Sequence, residues 1–195
     1  MVSNSLMAAA GLLLISTLSP GPNNLVVLRA AAHGGLQAAG PAIAGIVLGG
    51  LAMLGLVLAG LGSTFLHSSS LRTVVATGGA GYLAWLGIGL MRAHAGNEDR
   101  TALPAGLAGL FGFQFLNPKS WVMVLSLVAA FPQVGLATTL AWLAPAFVLI
   151  PTASLLLWAS AGQRLAVHFQ HPTTRRRIDC AMGIALLACA ILLLL

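Results

Sequence analysis

The stretch Ser19-Pro20-Gly21-Pro22-Asn23-Asn24 interrupts a long apolar segment near the start of the chain. Two prolines and a glycine at consecutive positions end a helix, because each proline lacks an N–H and its ring crowds the carbonyl four residues back. An unpaired backbone group in hydrocarbon costs several kcal/mol, so a break at membrane depth is tolerated only where it is packed in protein or lines a polar cavity. The stretch therefore predicts a discontinuous helix beside a cavity.

The composition indicates a membrane protein. Of 195 residues, 58% are hydrophobic and 6% are charged, with a mean hydropathy of +0.97, whereas globular domains carry about a quarter charged residues. Six apolar runs each approach the roughly 20 residues that cross a bilayer as a helix. We predict an all-α, polytopic protein with six transmembrane helices in a single transmembrane domain, residues 1–195. The runs cover approximately residues 5–31, 41–66, 72–91, 106–131, 136–161 and 178–195.

The arginines predict the orientation in the membrane. If the N-terminus is outside, the links after spans 1, 3 and 5 are cytoplasmic and hold seven arginines, while Arg72 is alone on the other side. We therefore predict both termini outside. The net charge of +6 is then explained by the membrane topology and by attraction to anionic lipid. We expect no nucleic-acid partner, because the sequence contains no water-exposed basic domain. The seven are Arg29, Arg92, Arg100, Arg164, Arg175, Arg176 and Arg177.

A second interruption lies in span 4, within Phe113-Gln114-Phe115-Leu116-Asn117-Pro118-Lys119-Ser120-Trp121. Asparagine followed by proline is a preferred pair for an N-cap and first helical position, so a half-helix is predicted to begin there. Gln114, Asn117 and Trp121 are spaced three and four apart, which on a helix places them on one face.

Lys119 lies about 14 residues, or roughly 21 Å of helix rise, beyond the start of span 4, too deep to reach either headgroup region. A lysine there costs at least about 2.5 kcal/mol and suggests a cavity or a counter-ion. No acidic residue lies in the middle of a span, so Lys119 is a candidate receptor for a substrate carboxylate. Against this, an unbroken helix would point it away from Asn117.

Two further charged residues have alternative readings. Arg29 near the end of span 1 is expected to anchor at the interface by snorkelling. Asp179 is expected to pair with the basic cluster at 175–177, and a proton-carrying role is the alternative.

Span 3 carries Tyr82 and Trp85, which either line a cavity or take part in ordinary packing. In span 2, Gly45, Gly49 and Gly50 allow close approach of helices, either within the chain or in a dimer.

The histidines and cysteines suggest neither a metal site nor a bridge. His168 and His171 have an H-x-x-H spacing without a third ligand nearby, so no metal is expected. Cys180 and Cys189 are nine residues apart on one predicted helix, too far for a disulfide.

The order of features indicates an internal duplication with separations near 100 residues. Each half has three spans, an odd number, so the second half is inverted relative to the first, as in many secondary transporters. The halves are a first repeat of about 1–92, a link of 93–104 and a second repeat of about 105–195. The matched features are Pro20 and Pro22 with Pro118, Pro41 with Pro145, and Arg72 with Arg176.

Taken together, these segments resemble the LysE/RhtB family of bacterial amino-acid exporters over essentially the whole chain. The segments that carry the resemblance are Ser19-Pro20-Gly21-Pro22-Asn23-Asn24, His33-Gly34, Gly79-Ala80-Gly81-Tyr82-Leu83-Ala84-Trp85-Leu86-Gly87 and Phe115-Leu116-Asn117-Pro118-Lys119-Ser120-Trp121.

The resemblance implies a six-span protein of the bacterial inner membrane that expels amino acids or close derivatives, driven by proton influx, with no cofactor. The 114–121 segment is most similar to the branch that exports neutral compounds such as cysteine and O-acetylserine. The expected partners are a small amino-acid substrate and the lipid bilayer, and a homo-oligomer is left open.

The predicted site holds a neutral or zwitterionic substrate, because no deep carboxylate is present to receive a cationic side chain. The backbone and Lys119 would hold its carboxylate, while side-chain amides and freed carbonyls would meet its ammonium; Asp179 is the proton-coupling candidate. The substrate-binding candidates are Pro20, Gly21, Pro22, Asn23, Asn24, Tyr82, Gln114, Asn117, Pro118 and Lys119.

Three other functions fit parts of this pattern. A passive channel would share the broken helices. A membrane-embedded enzyme would need a nucleophile with an activating group at depth, and no deep His, Asp or Glu is available for that role. A structural subunit would have no reason to keep Lys119 buried.

Overall fold

The computed structural model describes residues 2–92, 106–129, 135–169, 171–192 and 194, and every regular element in them is helical. The predicted all-α class is confirmed for these residues, while the predicted link at 93–104 lies outside them. The elements are α1 Val2–Leu18, α2 Pro22–Leu56, a π-helical turn Val57–Leu61, α3 Gly62–His67, α4 Ser69–Arg92, α5 Leu107–Leu116, α6 Pro118–Ala129, α7 Leu136–Phe169 and α8 Pro172–Leu192.

Both predicted interruptions are breaks between helices. α1 ends at Leu18 and α2 begins at Pro22, leaving the first break at Ser19–Gly21. α5 ends at Leu116 and α6 begins at Pro118, so the second break is the single residue Asn117. Each new helix starts on a proline, where the missing N–H removes no helical hydrogen bond.

Three continuous helical stretches within the described residues are long and apolar enough to cross a membrane: Pro22–His67, Ser69–Arg92 and Leu136–Ala166. Three shorter apolar stretches, Leu6–Leu18, Leu107–Leu116 and Pro118–Ala129, adjoin the two breaks.

The predicted link between spans 1 and 2 is a kink within Pro22–His67. Gly34 and Gly35 leave the helical conformation there, and Gly35 has a φ of 74°, which glycine adopts without a steric penalty.

The helices pack in pairs around the breaks. α2 lies along α7 and α5, α1 contacts α7, and α4 packs mainly against α8. Gly79 brings α4 onto the end of α5, because a β-carbon at that position would lie 2.1 Å from the Leu116 carbonyl oxygen. The second break is therefore covered by α4.

The glycines of span 2 serve packing within the chain. A β-carbon at Gly45 would lie 2.4 Å from the carbonyl oxygen of Leu107, and one at Gly49 would lie 2.6 Å from that of Phe111. α2 and α5 thus meet backbone to backbone, and this glycine face is not free for a second copy.

Candidate functional site

The first break leaves backbone carbonyls without helical partners, and side chains satisfy them. Asn24 donates from Nδ2 to the carbonyls of Thr17, at 2.9 Å, and Ser19, at 2.8 Å. The Ser19 hydroxyl donates to the Ser16 carbonyl at 2.9 Å. Asn24 is 4% exposed, so its amide takes the place of water at a break that water reaches poorly.

The second break satisfies itself. The Asn117 carbonyl accepts the N–H of Ser120 at 2.9 Å and that of Trp121 at 3.3 Å. The Asn117 side-chain oxygen accepts the Lys119 N–H at 3.1 Å. This is the N-cap that the Asn-Pro pair predicts.

A reciprocal amide pair joins the two breaks. Asn23 Nδ2 donates to Gln114 Oε1 at 3.0 Å, and Gln114 Nε2 donates to Asn23 Oδ1 at 3.2 Å. Gln114 also accepts from the Ser120 hydroxyl at 2.9 Å and donates to the Leu110 carbonyl at 3.0 Å. Its two N–H groups are thus both used, which fixes the side chain in the cavity wall.

Lys119 crosses from the second break to the first. Its Nζ donates to the Ser19 carbonyl at 3.0 Å and to the Ser19 hydroxyl at 2.8 Å. Two of the three ammonium N–H groups are thus used, both on neutral oxygens, and the third has no acceptor among the described residues. On an unbroken helix Lys119 would point away from Asn117, whereas in this broken segment it reaches the first break.

Gly21 makes room for this lysine. A β-carbon on Gly21 would lie 3.1 Å from Lys119 Nζ. The backbone of Gly21 is extended, with φ −175° and ψ 176°, a conformation open to any residue, so close approach and not conformation explains this glycine.

A cavity of about 50 Å³ lies between the breaks. The breaks give it polar groups, and α2, α6 and α7 give it apolar ones. Its lining residues are Ser16, Thr17, Gly21, Asn23, Ile46, Val47, Gly50, Gln114, Asn117, Lys119, Ser120, Met123, Phe147, Pro151 and Leu155.

The structure brings half of the candidate binding residues to this cavity. Those that line it are Gly21, Asn23, Gln114, Asn117 and Lys119. Those that do not line it are Pro20, Pro22, Asn24, Tyr82 and Pro118.

The aromatic candidates lie elsewhere. Tyr82 stacks on Phe113 with ring centroids 4.7 Å apart, and its buried hydroxyl has no partner within the described residues. Trp85 is 58% exposed on the outside of α4. Trp121, which the spacing predicts on one face with Gln114 and Asn117, does not line the cavity with them: it stacks on Phe65 at 4.2 Å and donates to the Phe115 carbonyl.

Arg29 and Asp179 form a buried ion pair. Arg29 Nε lies 2.9 Å from Asp179 Oδ1, and their side chains are 8% and 3% exposed. The expectation that Arg29 anchors at the interface is therefore wrong, because its side chain is buried against Asp179 of α8. The pair forms because α8 brings its first turns beside α2, 150 residues away in sequence.

The remaining predictions concern cysteines and histidines. Cys180 and Cys189 are free thiols, as the spacing indicates. The His168 side chain lies outside the described residues, so the metal interpretation of its spacing with His171 has no structural test.

Sequence reasoning missed the apolar part of the cavity wall. Val47, Gly50 and Phe147 lie in helices that are apolar on every side, where cavity and lipid faces look alike. Pro151 carries a usable signal, because a proline inside a helix leaves the carbonyl of Phe147 without its helical N–H.

Comparison with known proteins gives one family. A family model described as "LysE type translocator" matches residues 14–195. The chain is similar to the cysteine/O-acetylserine efflux protein of Salmonella typhimurium, with 29% identity over 180 residues, 91% of each chain. It is also similar to the protein of that name from Escherichia coli K12, with 25% identity over the same shares. No solved structure matches.

Proposed function

Because this chain belongs to the LysE type translocator family, we propose that it exports amino acids or close derivatives across the bacterial inner membrane. The observation that carries the proposal is a cavity between two helix breaks, lined by Lys119, Asn23 and Gln114. The efflux proteins of Salmonella and Escherichia to which it is similar support a neutral or zwitterionic substrate, such as cysteine or O-acetylserine.

The cavity offers separate places for the two charges of a zwitterion. The substrate carboxylate would take the third N–H of Lys119, and the start of α2 beside it adds the positive end of a helix dipole. The ammonium would meet the Asn23 side-chain oxygen or carbonyls near the first break. Gln114, whose donors are already used, orients Asn23.

A cationic side chain would find no acidic partner in this arrangement. The sequence has three acidic residues, of which two lie in the 93–104 link and the third, Asp179, contacts Arg29. A lysine or arginine substrate would have to bury its side-chain charge beside Lys119, which costs several kcal/mol.

We propose further that six spans form two inverted repeats with discontinuous helices 1 and 4. The repeats are about 1–92 and about 105–195, in a single transmembrane domain. Two facts support this arrangement. Elements that correspond in the repeats pack against each other, α2 with α7 and α4 with α8. A β-carbon on Gly87 would lie 2.7 Å from the Gly183 carbonyl oxygen, and one on Gly183 would lie 2.6 Å from that of Gly87, a reciprocity expected at a local twofold axis.

Alternating access would arise from rocking of one repeat against the other, and the Arg29–Asp179 pair is suited to couple it to protons. The pair joins the two repeats and lies outside the cavity. A proton on Asp179 would neutralise one side of the pair, and losing one partner of a buried pair costs about 3–5 kcal/mol. Proton binding would thus weaken one connection between the repeats.

Both termini would be periplasmic. The cytoplasmic links would then hold Arg92, Arg100, Arg164 and the cluster at 175–177, against Arg72 on the other side. Alkaline-phosphatase fusions near residue 68, between α3 and α4, would be active. Inactive fusions there would reverse the orientation.

Counterflow in proteoliposomes tests the transport proposal. Proteoliposomes that contain the purified protein are loaded with unlabelled cysteine, O-acetylserine, alanine or lysine. Exchange for labelled substrate is then followed with and without a pH gradient. We expect exchange of the neutral compounds, accumulation driven by the pH gradient, and loss of both in Lys119→Ala. Equilibration without any gradient-driven accumulation would instead indicate a passive channel.

Replacement of the ion pair tests the coupling. We expect Asp179→Asn to retain counterflow and to lose accumulation driven by the pH gradient. Arg29→Leu combined with Asp179→Leu, which removes both charges, is the control for folding, because a neutral pair restores burial without an unpaired charge. Unchanged gradient-driven accumulation in the double variant would exclude this pair as the coupling site.

A further inference from the structure

The cavity has two kinds of wall. The breaks supply polar groups, whereas α2 and α7 supply an apolar surface that includes Val47, Gly50, Phe147 and Leu155. A zwitterion held by the polar groups must therefore place its side chain against the apolar surface.

Phe147 fits against α2 because residue 50 is glycine. A β-carbon on Gly50 would lie 2.6 Å from Cε1 and 3.0 Å from Cζ of the Phe147 ring, well inside the roughly 3.5–4.0 Å of a favourable carbon contact. The outer edge of the ring thus rests directly on the backbone of α2.

The ring has little room to retreat from the cavity. Phe147 is 2% exposed and belongs to a buried cluster with Met53, Leu54 and Leu143, each 0% exposed. Close-packed clusters of this kind absorb extra atoms only with strain. The open space beside the ring is the cavity, so an added methyl group at position 50 would push the ring into it.

We propose that the Gly50–Phe147 contact sets the largest side chain that the cavity accepts, which makes Phe147 a specificity-determining residue. The inference rests on the proposed function, since it concerns the side chain of an amino-acid substrate. A hydrophobic pocket distinguishes one methylene by roughly tenfold or more. A displacement of the ring by the width of a methyl group is therefore enough to move the limit by one step in side-chain size.

A size series tests the proposal. Counterflow rates are measured in proteoliposomes for alanine, cysteine, valine, leucine and phenylalanine. The variants are Gly50→Ala, Phe147→Leu and the double variant. Gly55→Ala is the matched control, because a β-carbon on Gly55, on the same helix, meets nothing within 4 Å.

We expect each variant to move the limit in a stated direction. Gly50→Ala should lower the rate of the largest substrate of the parent about tenfold and leave alanine within about twofold. Phe147→Leu should raise the rate of the next larger substrate by a similar factor. The double variant should return towards the parent limit, because the smaller side chain at 147 leaves room for the methyl group. Gly55→Ala should match the parent.

The outcomes separate this inference from the proposed function. If the parent exchanges neither these amino acids nor O-acetylserine, the proposed function fails and the inference fails with it. If the parent exchanges amino acids but every variant keeps the parent limit, or loses all substrates in equal proportion, only the size limit is overturned. Should Gly50→Ala fail to fold, Phe147→Leu alone decides, since an unchanged limit there contradicts the proposal.

Discussion

The two helix breaks differ in how their backbone groups are satisfied. The first break spans Ser19–Gly21, and its carbonyls receive donors from Asn24 and Lys119. The second break is one residue, Asn117, which caps the following helix with its own carbonyl and side chain. The first break therefore receives a donor from the other break, Lys119, whereas the carbonyls at the second receive donors from within their own segment, including Trp121 Nε1 on the Phe115 carbonyl.

This difference gives the breaks separate tasks. The second break is a stable start for α6, and it delivers Lys119 across the cavity. The first break presents oxygens that Lys119 now occupies, at 3.0 Å and 2.8 Å. A substrate carboxylate that draws Lys119 away from Ser19 would alter the first break and leave the second intact.

Loss of Asn24 should have the largest effect on stability. Asn24→Ala leaves the carbonyls of Thr17 and Ser19 without the donors they have now, at about 1–3 kcal/mol for each buried group. We expect the free energy of unfolding in detergent, measured by denaturant titration, to fall by about 3 kcal/mol. The control is Thr77→Ala, whose hydroxyl donates to the Thr73 carbonyl on an exposed face of α4. A change below about 0.5 kcal/mol in Asn24→Ala would show that the first break does not depend on this side chain.

Loss of Lys119 should act on transport. Hydrogen bonds to a charged group contribute about 1.5–3 kcal/mol, so Lys119→Met should lower the counterflow rate roughly 10-fold to 100-fold. Ser126→Ala, on the same helix but outside the cavity lining, is the control and should retain the parent rate. Parent-level transport in Lys119→Met would remove Lys119 from the site.

Loss of the cap at the second break should lower the stability less than loss of Asn24. Asn117→Ala removes the side-chain acceptor of the Lys119 N–H, and losing an N-cap costs about 1 kcal/mol. Asn117→Asp keeps an acceptor and should recover most of this stability. Equal destabilisation by Asn117→Ala and Asn24→Ala would contradict this difference between the breaks, because the second break would then depend on one side chain as strongly as the first.

A methyl group at Gly21 should have the smallest effect. Its β-carbon would lie 3.1 Å from Lys119 Nζ, so the lysine must shift by a few tenths of an ångström. We expect the transport rate to fall roughly twofold to fivefold, because small displacements of groups in a site lower the rate. Gly11→Ala on α1, where a β-carbon meets nothing within 4 Å, should leave the rate unchanged. Equal rates in both variants would argue against close contact between Gly21 and Lys119 during transport.

The sequence predicts both breaks because proline and glycine act on their own backbone and need no partner. The start of α6 at Pro118 follows from the same local effect. The direction of the Lys119 side chain could not be predicted, because it depends on how far the helix turns at Asn117. On an unbroken helix the lysine would point away from Asn117.

The features that the sequence did not predict depend on tertiary contacts. Arg29 and Asp179 pair across 150 residues, and a lone arginine near a predicted helix end reads equally well as an interface anchor. Phe147 lies in a helix without polar contrast, so periodicity cannot separate its cavity face from its lipid face. Such residues become visible only when the neighbouring helix is placed.

In the proposed membrane arrangement, the positive charge of Lys119, held on neutral oxygens of Ser19, would lie within the electric field of an energised membrane. Any movement of that charge along the membrane normal does electrical work, up to about 2.3 kcal/mol per 100 mV for a full crossing. Transport by the proposed cycle would then respond to voltage even when the substrate carries no net charge.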